Sequence, residues 1–307
     1  MPNVARMYDF YLGGKDNFAA DREAAARVIE AAPTAPVMAK ANRTFLGRAV
    51  TFLARHAGIS QFLDIGAGLP TRDNVHEVAQ RIRPSAEVVY VDNDPIVLAH
   101  ARALLASNRR THIVHEDLRE PEKVVNAAQA FLDFDRPVAI LLVAVLHFVQ
   151  DREKPYEIVD SLMDAVCPGS YLVISHAERT PQLVEAGRAY DKATARAALR
   201  SAAEISEFFD GLDLVGRGVT RLPEWASGQE DGPDTSETVS IYDEAAMRWM
   251  PFLGGVGRKP LCDSPLSSEA FVQKPPLSEL ASFATQLARH REQRMHALFN
   301  SRNEARS

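Results

Sequence analysis

Cysteine is almost missing from this chain of 307 residues: there are two, Cys167 and Cys262, each without another cysteine nearby. That excludes a disulfide framework and a thiolate zinc site. Long apolar runs are missing as well, and none reaches the eighteen or so uncharged residues that a membrane span requires. The first thirty residues carry Arg6, Asp9, Lys15, Asp16, Asp21, Arg22 and Glu23, so no signal-peptide core fits there. Positive charge is not in excess either: 35 Lys and Arg against 41 Asp and Glu leave a net charge of -6. A broad basic face for nucleic acid or an anionic membrane is therefore disfavoured. These absences point to a soluble, cytoplasmic protein.

What is present is an ordinary globular balance, 46% apolar and 25% charged. From residue 61 to about 175, β-rich apolar runs alternate with amphipathic helical stretches. The runs are "QFLDI" (61–65), "EVVYVD" (87–92), "THIVH" (111–115), "VAILLVAV" (138–145) and "YLVIS" (171–175). Their near-continuous Val, Ile and Leu content fits strands buried on both faces of a parallel sheet. Repeated strand and helix predict a doubly wound α/β fold. In "DPIVLAHARALLASN", Asp94 serves as cap, Pro95 starts the helix, and Ile96, Ala99, Ala103 and Leu104 are expected on its buried face.

Upstream, residues 35–58 read as one long helix with Val37, Ala41, Phe45, Ala49, Phe52 and Leu53 on one face and Gly58 as its stop. Downstream, a helical region at about 182–209 precedes two glycine-bearing strand candidates, "LDLVGRGV" and "FLGGVGRK", separated by a loop at 223–235. These strands would complete the sheet antiparallel. Beyond Pro260 the composition changes to a linker followed by an amphipathic helix capped by Ser278. Residues 261–307 hold six Lys or Arg and five Asp or Glu, so this near-neutral tail suits packing or a homodimer better than nucleic acid. The expected division is 1–58 as an N-terminal helical segment, 59–260 as the core and 261–307 as the extension.

"LDIGAGLP" places Gly66, Ala67 and Gly68 directly after the first strand, where the carboxyl ends of a doubly wound sheet open onto a ligand crevice. Asp92, followed by Asn93, ends the second strand where a carboxylate accepts from both hydroxyls of a ribose. One strand later come Asp117 and Leu118, a polar and an apolar neighbour for an adenine. Ala144 lies at the end of the fourth strand. A dinucleotide fingerprint would want a third glycine, but Thr71 stands there behind Pro70. Asp64 inside the site would repel a diphosphate and attract an ammonium. S-adenosylmethionine, with an ammonium, a sulfonium, a ribose, an adenine and no phosphate, fits this pattern better than a nicotinamide dinucleotide.

The chain resembles the actinobacterial S-adenosylmethionine-dependent methyltransferase family long catalogued as a domain of unknown function. The resemblance rests on "ARMYDFYLGGKDNFAADREAA", "ANRTFLGRAV", "FLDIGAGLPTRDNVHEVAQ", "VVYVDNDPIVLAHARALL" and "GGVGRKP". It covers roughly residues 2–260, so nothing about the tail carries over. It implies a Rossmann-like class I sheet of order 3-2-1-4-5-7-6 with its last strand antiparallel, and S-adenosylhomocysteine as the product cofactor.

"YDFYLGGKDN" near the chain start is rich in rings and hydrogen-bonding groups, which termini seldom are. Methyl transfer needs alignment and exclusion of water, and an open crevice cannot exclude water alone. The stretch is therefore expected to form a lid, with Tyr8, Phe10, Tyr11 and Phe18 as apolar cover and Gly13–Gly14 as the bend. Tyr8, Asn17 and Arg43 supply polar contacts, Arg43 towards the methionine carboxylate. The alternative is that the two glycines end a helix and the rings are core. After the fourth strand, His147 is the expected proton acceptor, with Tyr11 beside the acceptor and His176 and Glu178 as weaker candidates. The [DN]-P-P-[YF] pattern of many amino methyltransferases is missing. His112 and His115 lack a third ligand, so no metal is expected. The competing readings are a binding protein without turnover and an NAD-dependent oxidoreductase.

Overall fold

The computed structural model describes residues 1–71, 73–105, 108–226 and 250–261. The linker and helix expected beyond residue 261, and the loop beyond residue 226, lie outside the described residues. Five strands run parallel: β1 (Gln61–Ile65), β2 (Glu87–Asp92), β3 (Thr111–His115), β4 (Ala139–Val143) and β5 (Tyr171–Ala177). Three more follow: β6 (Asp213–Leu214), β7 (Thr220–Arg221) and β8 (Phe252–Arg258). Strand β8 lies antiparallel against β5 over its whole length. The order is β3-β2-β1-β4-β5-β8-β6, with β7 also on β8, in a sheet of eight strands. This is the expected topology with its sixth strand interrupted into β6 and β7, which run in the same direction along β8, and Gly216 and Gly218, both at positive φ, fall in the interruption.

Helices cover both faces, and alternate strand residues feed two apolar layers. Phe62, Val88, Tyr90, Leu141 and Val173 face one layer; Leu63, Val89, Ile140, Leu142 and Ile174 face the other. The first layer is completed by α1 (Val4–Tyr11), α2 (Ala19–Ala31), α3 (Ala35–Arg55), α4 (Val75–Ile82) and α8 (Pro181–Gly187). The second uses α6 (Pro121–Ala128) and α7 (Pro155–Ala165). The long helix α3 buries Ala41, Phe45, Ala49, Phe52 and Leu53, as its spacing predicts, and Gly58 follows its end at φ 75°. Phe45 is shielded from solvent and meets Trp225 edge-on at 5.3 Å, so truncating it to alanine is expected to cost about 3–5 kcal/mol.

One helical expectation needs correction. Helix α5 (Pro95–Leu105) starts on Pro95, and the Asp94 carboxylate accepts from the Ile96 amide at 2.8 Å. Its buried residues, however, are Val97, Leu98 and Ala101, while Ile96, Ala99 and Ala103 are exposed. The turn leaving β2 sets the helix phase, and it rotates the expected face by about one residue, or 100°. The helical region expected at about 182–209 is present as short pieces. It is α8, a 3₁₀ stretch Arg188–Lys192, a coil, α9 (Ala202–Ser206) and a further 3₁₀ turn.

The N-terminal stretch owes its composition to two buried carboxylates. Asp21 in α2 accepts from the Asn3 amide (2.8 Å), the Phe18 amide (2.9 Å) and Arg6 Nε (2.7 Å), tying α1 to α2. Asp9 in α1 accepts from the Asp16 amide (3.0 Å) and from Asn17 Nδ2 (2.7 Å). A Cβ on Gly14 would fall 1.9 Å from Asp9 Oδ1, so the chain passes this carboxylate only as glycine. Gly13, at φ 79°, ends α1 and makes the bend at once.

Candidate functional site

The carboxyl ends of β1, β2, β3 and β4 open into one cavity of about 650 Å³. Of the residues singled out from the sequence, Tyr8, Arg43, Asp64, Gly66, Ala67, Gly68, Asp92, Asn93, Asp117, Leu118, Ala144 and His147 line it. Asn17 and Tyr11 do not. Asn17 is committed to Asp9 and to the Gly14 carbonyl (3.0 Å), and Tyr11 opens onto a second, smaller cavity.

Gly66 has φ 75°, and a Cβ there would sit 2.4 Å from Val145 Cγ2, which ties the turn to the loop after β4. The Gly68 amide donates to Asp92 Oδ2 at 2.9 Å, and the Asp94 amide donates to Asp92 Oδ1 at 2.9 Å. The turn's outgoing N–H is therefore spent on a carboxylate rather than held for a phosphate. With the Asn93 amide also engaging it, the Asp92 carboxylate still keeps acceptor capacity for a ribose hydroxyl. Burial, with Asp94 adding to it, raises the Asp92 pKa against these hydrogen bonds.

Asp64 is buried at the base of the cavity. Loss of water pushes its pKa up to about 7; Arg43 pulls it down and Asp92 pushes it further up. A carboxyl poised this way gains from a nearby cation. Asp117 sits on the far side, where burial would raise its pKa but the Arg119 amide, Asn93 Nδ2 (2.8 Å) and the Arg119 guanidinium outweigh it and hold it below the ordinary value. Arg119 also bonds Glu153 at 2.8 Å, which fixes this wall. Asp64, Asp92, Asp94, Glu116 and Asp117 line the cavity against Arg6, Arg43 and Arg119, an acidic excess that favours a phosphate-free cation over a diphosphate.

The roof is α1, built differently from the sequence expectation. Met1, Asn3, Val4, Ala5, Arg6 and Tyr8 line the cavity. Asn3 Nδ2 donates to the Asp94 carboxylate, Val4 N donates to Thr194 Oγ1 (3.2 Å), and Thr194 N donates to the Pro2 carbonyl (3.0 Å). Tyr8 donates to the Ala39 carbonyl (3.0 Å) and accepts from Asn42 Nδ2 (2.9 Å). Of the other rings expected as cover, Phe10 packs on the core, Tyr11 is buried, and Phe18 is 63% exposed with the Arg6 guanidinium 5.2 Å over it. Phe18 faces outward because its amide, not its ring, is what Asp21 holds. Arg43 lines the cavity and bonds the Asp73 carbonyl at 2.9 Å.

His147 lies in the 3₁₀ turn Leu146–Phe148 that leaves β4. Its ring packs against Phe148 (4.5 Å), His176 (5.5 Å) and Phe252 (5.8 Å), and its Nδ1 is buried without a hydrogen-bond partner. Burial, then the Arg200 charge, lowers its pKa to about 3, so the imidazole is neutral. His176 does not reach the cavity: it donates from Nδ1 to the Ala177 carbonyl (2.8 Å) and accepts from Arg200 (3.0 Å). Glu178 is held by Arg221 at 3.4 Å. Arg200, 2% exposed, also donates to the Leu146 carbonyl (3.1 Å), the Val149 carbonyl (2.9 Å) and Asp151 (2.8 Å), clamping the turn that carries His147. Sequence reasoning missed Asn3, Asp94 as a lid anchor, Arg119, Tyr190, Thr194 and Arg200. Only Asn3 carried a local signal, as an N-cap before a helical run.

A parallel α/β sheet with carboxylates on its strand ends, and a helical roof, defines a nucleoside-cofactor enzyme of the class I methyltransferase type. The sequence model described as S-adenosyl methyltransferase matches residues 1–260, and the chain belongs to that family. Its cofactor is S-adenosylmethionine and its activity methyl transfer, which removes the nicotinamide reading. Solved structures similar to the chain include the following two. A candidate methyltransferase of Thermobifida fusca YX is 39% identical, with 84% of this chain and 95% of that chain covered at a TM-score of 0.75. A protein of the family DUF574 from Streptomyces avermitilis is also 39% identical, over 84% of this chain and 98% of that chain, at a TM-score of 0.76. No curated protein matches. No helix among the described residues is long and apolar enough to cross a membrane.

Proposed function

We propose that this methyltransferase acts on a small-molecule acceptor in a cavity that α1 closes from above. The observation that carries this reading is the pairing of a roofed, acidic cofactor cavity with a neutral imidazole in its wall. Asp64 and Arg43 hold the amino-acid end of S-adenosylmethionine, Asp92 the ribose, and Asp117 with Leu118 the adenine. When bound, the cofactor supplies an electrophilic methyl on a sulfonium. The protein's share is alignment and dryness: α1 excludes water, Ala144 and Gly66 set the floor, and His147 faces the acceptor. Methylating a neutral hydroxyl makes its oxygen strongly acidic as the bond forms, so even a weakly basic imidazole takes that proton. A free small molecule in the cytoplasm suits the net charge of -6 better than nucleic acid does, and a homodimer is the oligomeric state to test by gel filtration.

Calorimetry with S-adenosylhomocysteine and with NADH tests the site. Saturable binding of the thioether and none of NADH is expected; the reverse overturns the assignment. Incubating S-adenosylmethionine with a panel of small acceptors then separates enzyme from binding protein, because only turnover accumulates S-adenosylhomocysteine.

A further inference from the structure

A second cavity, of about 100 Å³, lies beside the first. Five residues line both: Tyr8, Ala144, His147, Phe148 and Tyr190. This partition contains the roof tyrosine, the strand-end alanine and the imidazole whose Nδ1 is buried without a partner. Beyond it, the small chamber is walled by Val28, Met38, Ala39, Leu183, Ala186 and Phe252 among others, with no Asp, Glu, Lys or Arg in its lining. The polar side chains in its lining are those of Tyr8, Tyr11, Tyr190 and His147. The two hydroxyls of Tyr11 and Tyr190 lie 3.0 Å apart and bond each other. Both tyrosines have their pKa raised, chiefly by burial, so they stay protonated.

From this arrangement we infer that the small chamber is the acceptor site, and that it takes an uncharged molecule of one ring or a short chain bearing one hydroxyl. The inference rests on the methyltransferase reading of the larger cavity. Size follows from volume: at roughly 10–15 Å³ of such space per water-sized group, the chamber holds about seven to ten non-hydrogen atoms. Charge follows from the lining, because an ionised carboxylate or ammonium would lose its water there without a counter-charge. The acceptor oxygen forms its bond to the methyl carbon as the carbon–sulfur bond breaks. The electron pair of that bond stays on sulfur, leaving a neutral thioether. The hydroxyl proton passes to the His147 imidazole and from there to solvent.

Phenol and benzoate, of seven and nine non-hydrogen atoms and so both within the size the chamber holds, differ in charge and are the probes. Saturation-transfer NMR on protein loaded with S-adenosylhomocysteine is expected to show phenol binding and no benzoate binding. Leu183→Trp and Met38→Trp fill the chamber from α8 and from α3, away from the cofactor cavity. Each is expected to reduce phenol binding at least tenfold while S-adenosylhomocysteine affinity stays within about twofold, which also shows that the variant is folded. Benzoate binding as well as phenol, or phenol binding unchanged in a variant that retains the thioether, overturns the inference. Absence of S-adenosylhomocysteine binding in the wild type overturns instead the reading on which it rests.

Discussion

The sharpest consequence of the site is a proton linked to cofactor binding at Asp64. In the free protein, burial holds this carboxyl at a pKa of about 7, against 3.8 for an unperturbed aspartate. A bound ammonium favours the carboxylate, so binding selects the ionised form and expels the proton. At pH 8 about nine-tenths of the free protein is already ionised; at pH 6 only about one-tenth is. The affinity for S-adenosylhomocysteine should therefore fall about tenfold from pH 8 to pH 6, or ~1.4 kcal/mol. Calorimetry at pH 6 in two buffers of different ionisation enthalpy should report about 0.9 proton released per ligand. Asp64→Asn removes this proton and leaves whatever pH dependence the ligand itself has. If the wild type shows no steeper pH dependence than the variant, Asp64 does not face the ammonium and the placement of the cofactor is wrong.

The same residue gives an opposite prediction for stability. A carboxyl whose folded pKa lies above its unfolded value favours the folded state less as pH rises through the interval between them, here about 4 to 7. At 1.36 kcal/mol per pH unit that interval corresponds to roughly 4 kcal/mol, an upper bound if the site admits water. Asp64→Asn should thus raise the melting temperature of the ligand-free protein at pH 8 while weakening cofactor binding.

Other perturbations read other parts of the site. Asp92→Ala should weaken S-adenosylhomocysteine binding by about 1.5–3 kcal/mol in calorimetry, through lost hydrogen bonds to a charged group and a loosened Gly68 turn; unchanged affinity would remove it from the ribose. Asn3→Ala cuts the roof's link to Asp94 and should raise the cofactor off-rate in stopped flow, and because it also removes the α1 N-cap it should lower the melting temperature, through a loss of about 0.5–2 kcal/mol of stability. Gly14→Ala places a methyl into Asp9 and should expose the first twenty residues to limited proteolysis.

How much of this was legible in sequence follows from where each signal is encoded. β1, β2, β4 and β5 could be placed because they are buried on both faces and read as apolar runs, and the edge strand β3, only partly buried, through its β-branched Thr111, Ile113 and Val114; β1, β2 and β3 match their predicted spans residue for residue. Gly66, Asp92 and Asp117 could be placed because parallel strands bring their carboxyl ends to one edge, whatever the helices do between them. Helix phase was not legible in α5, since an apolar run such as "PIVLA" supports two adjacent faces and the β2 turn chooses between them. The roles of Phe18 and Asn17 were misjudged for a related reason: ring and amide side chains in one motif serve either ligand or backbone. Here Asp9 and Asp21 claim them for the backbone. Arg200 and Tyr190 reach the site from segments more than forty residues beyond His147, and only the tertiary structure brings them there.

These long-range contacts also explain how a roof at the chain start bears on the floor of the site. Ala144, at the end of β4, sits at φ 58° without being glycine, a conformation that costs of the order of 1–2 kcal/mol. It is held there by its amide, which donates to Ser175 Oγ at 2.9 Å. Ser175 Oγ in turn donates to Asn42 Oδ1 at 2.6 Å, and Asn42 Nδ2 donates to the Tyr8 hydroxyl at 2.9 Å. The chain thus runs from the roof helix through α3 and β5 to the strained residue that separates the two cavities. Ser175 and Asn42 are buried, so each bond in it is unscreened and an unmade one leaves a polar atom without water. Seating α1 and fixing Ala144 are therefore one event energetically, and a roof that is not closed leaves the partition between cofactor and acceptor less sharply set.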